Sequence, residues 1–162
     1  MTSPVTKLRH IKLPVTDLAR SASWYTALLT LTPQYEFVEQ GELRGVSLID
    51  RATGLIVALR LREFCASRPD LSGYDPVAFA VADRQALQQF YEHCDSLGVE
   101  HTDVRDAGPF GTGFDVVDPD RTVLRFICEA EPMLDSFVGV IMDGGVPQLY
   151  YEPRLTGNVS GP

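Results

Sequence analysis

Apolar and polar residues alternate through Ile11, Leu13 and Val15, with His10, Lys12 and Pro14 between them. That two-residue period predicts a strand from about Lys7 to Val15 with one apolar and one mixed face. An aspartate, Asp17, follows and opens a helix as its N-cap. Leu18, Ala22, Tyr25, Leu28 and Leu29 then recur at helical spacing, so one stripe of that helix packs over the strand. Sixty-six residues later the order repeats: Asp75–Val81 reads as a strand, Asp83 as a cap, and Leu87, Phe90, Tyr91, Cys94 and Leu97 as a helical stripe stopped by Gly98. The offset is the same for Asp17 and Asp83 as for Tyr25 and Tyr91. Matched spacings of this kind mark an internal duplication.

Three strands follow each helix in this reading. In the first half they are Gln34–Glu39, Glu42–Asp50 and Leu55–Arg62, with turns at Gln40-Gly41 and Arg51–Gly54. In the second they are Val99–Arg105, Gly113–Asp118 and Thr122–Cys128, with a turn at Asp118–Arg121. Gly45–Asp50 echoes Gly113–Asp118, and Leu59-Arg60-Leu61 echoes Leu124-Arg125-Phe126. The two units span about 7–62 and 75–128, and the polar segment 63–74 with Pro69 connects them. Together they make one domain over 1–130, with 131–162 as a C-terminal extension. Met133–Met142 is apolar enough for a strand or short helix packed on the domain or on a partner, and the Gly- and Pro-rich end is expected to fray.

Composition narrows the function classes. Hydrophobic residues are 44% and charged residues 22% of the 162, as in an ordinary globular protein. The net charge of −8 opposes the basic face that nucleic-acid backbone binding needs. No apolar run is long enough to cross a bilayer, and the first residues carry no signal-peptide core. Cys65, Cys94 and Cys128 are odd in number and lack metal-ligand spacing, so reduced thiols in a cytoplasmic protein are expected.

The stretch His10–Tyr25, together with Gly73–Asp83 and Asp118–Phe126, resembles the motifs of the vicinal oxygen chelate superfamily. That superfamily includes glyoxalase I, extradiol dioxygenases, fosfomycin-resistance enzymes and bleomycin-resistance proteins. The resemblance implies an α+β fold of two tandem βαβββ modules that curl into a half-barrel cleft, usually in a homodimer. It also implies a divalent metal in many members, held from the first and fourth strands of each module. The matching positions here are His10, Arg60, Pro76 and Arg125. Proline has no donor side chain and a guanidinium offers only N–H donors, so only His10 can ligate. Each arginine would also repel a dication by about 8 kcal/mol at ~4 Å and an effective dielectric of ~20. No metal and no other cofactor is expected.

On this resemblance Arg60 and Arg125 occupy duplicate-related positions, which would bring both onto one cavity floor with His10 and Lys12. Such a floor would hold a carboxylate or phosphate bidentately. The competing reading pairs the arginines with carboxylates such as Asp115 or Asp75. Phe110, in the loop Gly108–Gly113, is placed to close on a ligand, although a plain hairpin loop explains the segment equally well. That loop precedes no helix and is no phosphate loop. Trp24 and Tyr25 read as core, and His93 and His101 as solvent-facing. The ligand-binding set is therefore His10, Lys12, Arg60, Arg125, Phe110 and Asp115. One function reading is a metal-independent small-molecule binding protein of the sequestering kind. Its rival is a glyoxalase-like lyase or isomerase with His10 as base or within a metal site. A domain kept only for assembly is the third.

Overall fold

The computed structural model describes residues 3–130, 137–144 and 147–155. The first module runs β1 (Ile11–Val15), α1 (Leu18–Leu29), β2 (Thr32–Glu39), β3 (Glu42–Ile49) and β4 (Ile56–Leu61). The second runs β5 (Val77–Val81), α2 (Arg84–Leu97), β6 (Arg105–Asp106), β7 (Thr112–Val117) and β8 (Val123–Cys128). A hairpin, β9 (Gly139–Ile141) and β10 (Gln148–Tyr150), follows. The sheets have the order β1-β4-β3-β2 and β5-β8-β7-β6, so each is the same mixed four-stranded sheet with its first strand parallel to its last. The two-module α+β architecture is thus present.

The helices start where the sequence predicts. The carboxylates of Asp17 and Asp83 accept from the amides of Arg20 and Ala86, which satisfies a donor each first turn leaves open. Gly98 ends α2 in the left-handed conformation at φ +63°. Both helices lay their stripes on one core shared by the modules: Tyr25 and Leu28 from α1, Leu87 and Cys94 from α2, and Val46, Leu48, Val57, Leu59, Phe114, Val116, Leu124 and Phe126 from the sheets. Trp24 packs edge-on against Tyr25 at the margin of this core.

Three expectations are corrected. Val99–Arg105 is not a continuous strand: it holds one bridge, His101 to Val116, and pairing resumes only at Arg105–Asp106. His101 does not face solvent. Its side chain is 11% exposed, packed edge-on against Tyr91 and Phe114, with Nε2 3.2 Å from Asp95. His93 is half-buried and donates through Nε2 to the Ala27 carbonyl at 3.0 Å, tying α2 to α1.

Modules are joined most firmly by two aspartates of the β7–β8 turn. Asp118 Oδ1 accepts from the amides of Asp120 and Thr122, while Oδ2 accepts from the Tyr25 hydroxyl at 2.8 Å. Asp120 accepts from the Thr16 amide and hydroxyl at the head of α1. Burial pushes the Asp118 carboxyl above the usual carboxylate range, partly offset by the Tyr25 hydrogen bond. It pushes the Tyr25 phenol up as well. Asp50, in the corresponding turn of the first module, caps Ala52 and Thr53, and no tyrosine reaches it among the described residues.

Candidate functional site

The concave face of each sheet forms its own cleft, and the two share no lining residue. The first, about 330 Å³, is lined by Gly45 and Ser47 of β3, Ala58 and Arg60 of β4, Arg9, His10 and Lys12 at β1, and a wall of Gln34, Tyr35, Phe37 and Glu39 from β2. The second, about 550 Å³, is lined by Gly113 and Asp115 of β7, Arg125 and Ile127 of β8, and Arg105, Ala107 and Phe110, with Met142 from the C-terminal hairpin. The single cavity floor expected for His10, Lys12, Arg60 and Arg125 is therefore not found within one chain. His10, Lys12 and Arg60 lie together; Arg125, Asp115 and Phe110 lie together elsewhere.

The hydrogen-bond register explains the separation of roles. Arg60 pairs with Gly45, and the residue that pairs with the equivalent glycine, Gly113, is Ile127. Arg125 pairs with Asp115, and its counterpart, opposite Ser47, is Ala58. Arg60 and Arg125 are thus not duplicate-related. The Leu-Arg-Leu and Leu-Arg-Phe echoes are out of step by two residues, one pleat repeat, which leaves each arginine on the concave face.

Neither arginine is an unpaired cation. Arg60 binds Glu39 through both terminal nitrogens at 2.6 and 2.8 Å. Arg125 donates from Nε to Asp115 at 3.0 Å and from Nη2 to Asp75 at 2.9 Å. Arg105 holds the other Asp115 oxygen at 2.5 Å. Burial alone would raise the Asp115 carboxyl, but the hydrogen bonds and charges of Arg125 and Arg105 outweigh it and hold the group below its usual range. The second cleft floor thus carries two guanidiniums around Asp115, and Arg125 is also paired with Asp75 beside the cleft. In the first cleft the unpaired basic side chains are Arg9, Lys12 and half-buried His10, which meet no carboxylate within 4.0 Å among the described residues. Arg9, Gln34, Tyr35 and Phe37 escaped the sequence reading. The sequence marks Gln34–Glu39 as a strand, but not that this strand rises as a cleft wall.

The metal positions implied by the resemblance do not suit a dication. His10 shares its cleft with the Arg60–Glu39 pair, and the register-matched residues on the fourth strands, Ala58 and Ile127, have no donor atoms. No group of three His, Cys, Asp or Glu side chains among the described residues converges on one point.

A family model described as Glyoxalase/Bleomycin resistance protein/Dioxygenase superfamily matches residues 7–126. The fold is similar to a glyoxylase/bleomycin resistance protein/dioxygenase domain from Frankia sp. EAN1pec, with TM-score 0.63 and 21% identity over 78% of this chain and 99% of that one. It is also similar to the fosfomycin resistance protein FosX from Listeria monocytogenes, with TM-score 0.61 and 17% identity over 78% and 96%. A third is TnmS3, an antibiotic binding protein from Streptomyces sp. CB03234, with TM-score 0.66 and 12% identity over 80% and 100%. No curated protein matches the chain. Two βαβββ modules, a concave cleft on each, and a family match over most of the sequence lead to one assignment: the chain belongs to the Glyoxalase/Bleomycin resistance protein/Dioxygenase superfamily.

Proposed function

We propose that this protein binds a small molecule without a metal, and that the first cleft accepts the ligand's anionic group. The observation that carries this reading is the contrast in charge within that cleft. Arg60 is neutralised by Glu39, whereas Arg9, His10 and Lys12 line the same space with no acidic partner among the described residues. Tyr35 and Phe37, 60% and 48% exposed, stand beside them as open aromatic faces. A cleft with aromatic walls and a few placed cations suits a flat organic anion, held by contact area and oriented by charge. TnmS3 is an antibiotic binding protein and FosX a fosfomycin resistance protein, which supports a small-molecule ligand here.

The same reading makes the protein a homodimer. β2 is a free sheet edge and exposes Tyr35, Phe37 and Val38, with Leu43 of the neighbouring β3 beside them. A second copy that set its second cleft against this first one would cover the edge and enclose a ligand.

Calorimetric titration with 1-naphthoate, a flat aromatic carboxylate, tests the reading. Binding should weaken more than tenfold in Lys12→Glu and persist after exhaustive chelation. Equal affinity in Lys12→Glu, or a stoichiometric divalent ion in the purified protein, defeats it. A turnover that vanishes in His10→Ala while binding survives replaces it with an enzyme that uses His10 as base.

A further inference from the structure

The two clefts are built from equivalent strands but walled differently. In the first module the outer wall is β2, eight residues long, which contributes Gln34, Tyr35, Phe37 and Glu39. Its counterpart in the second module is β6, of only two residues, and it contributes Arg105 alone. The second cleft thus has a floor, in β7 and β8, without a strand of matching length beside it.

The C-terminal hairpin stands in that gap. Met142, directly after β9, lines the second cleft with Phe110, and Phe137, ahead of β9, packs edge-on against Phe110 with ring centroids 5.6 Å apart. The hairpin is braced from within: β9 pairs with β10, and the Tyr150 ring occupies the space a side chain at Gly139 would fill. It also lies beyond the family match, which ends at residue 126.

The two clefts offer unlike chemistry. The polar floor of the second one holds Arg105 and Arg125 with Asp115, and Asp75 pairs with Arg125 from outside the lining, so neither guanidinium is left without a carboxylate. Around it stand Phe110, Ala107, Ile127 and Met142.

We propose that the paired strands Gly139–Ile141 and Gln148–Tyr150, with Met142 beside them, supply the missing wall of the second cleft, and that Met142 and Phe110 make this cleft a site for an uncharged apolar ring system. This inference rests on the clefts being ligand sites, and adds to that reading a second subsite of opposite character, shaped in part by Met142 beyond the family match. Burial of a ring against the Met142 side chain contributes through apolar area, and a carboxylate placed there would be stripped of water with no cation to meet it.

Fluorescence titration of the full chain with Nile red, an uncharged apolar dye, tests the proposal. Met142 is 67% exposed, so Met142→Glu should fold as the parent does. It should lower dye affinity about tenfold or more, while Met142→Leu retains it. Equal dye affinity in Met142→Glu, or no binding by the parent, overturns the proposal. Neither result touches the naphthoate titration, which reads the first cleft. Loss of naphthoate binding with dye binding intact would defeat the anion subsite and leave the hairpin wall standing.

Discussion

Asp115 and Asp118 lie three residues apart on and after one strand, yet their surroundings push them in opposite directions. Two guanidiniums hold Asp115 below its ordinary range, and burial holds Asp118 above it. The stability Asp115 supplies is present above its unfolded value of 3.8 and is lost as the pH falls through its lower folded value. For Asp118 the sign reverses: ionisation is harder in the folded state, so its contribution is fullest below 3.8 and declines as the pH rises through its raised folded value. Urea melts at pH 7 and again near pH 4 should therefore show the parent gaining on Asp118→Asn as the medium is acidified. Below about pH 4 the parent should lose ground to Asp115→Asn. Tyr25→Phe removes the hydroxyl that serves the buried Asp118 Oδ2 and should cost about 2 kcal/mol, read as a lower urea midpoint. Arg125→Ala leaves Asp115 with Arg105 and Asp75 with no guanidinium. Because Arg125 is partly exposed, the expected loss is about 1–3 kcal/mol rather than that of a fully buried pair.

At the level of the element, the helices were legible and one strand was not. A helix announces itself through caps and a long stripe, and Asp17, Asp83 and Gly98 act as their types require. Val99–Arg105 has apolar and polar residues in plausible alternation, but its pairing depends on what β7 presents. It bridges β7 once at His101, through backbone bonds of Glu100 and Thr102, and strand pairing resumes only at Arg105–Asp106. His101 was misread for a related reason: next to a helix end it reads as polar surface, and Tyr91 and Phe114 reach it only through the fold. The equivalent glycines test how closely the duplicated strands are packed. A Cβ at Gly113 would lie 2.3 Å from the Phe126 carbonyl oxygen, and one at Gly45 would lie 3.0 Å from that of Leu59. Gly113→Ala should thus destabilise by about 1–3 kcal/mol and Gly45→Ala by distinctly less, compared by thermal melting. Equal losses would mean that the two sheets yield alike.

For the molecule as a whole, the modules share one core while their clefts stay apart, and the proposed dimer is what would bring a first and a second cleft together. Sedimentation equilibrium should give a dimer for the parent. Val38→Asp, on the free edge of β2, should shift it toward monomer and weaken naphthoate and dye together. By itself the sequence determined the repeat, the order of strands and helices in the two modules, both helix caps and the apolar face of the first strand. All of these depend on neighbours along the chain or on side-chain chemistry alone. Which cleft each residue enters, and what neutralises it, was decided by the tertiary structure. A strand slipped by two residues shows the same face, so alternation cannot separate the pairing of Arg60 with Gly45 from that of Arg125 with Asp115. Register separates them, and it is set by hydrogen bonds between strands that lie far apart in sequence. The same holds for Glu39 and Asp75, whose charges reach the arginines only after the chain has closed on itself.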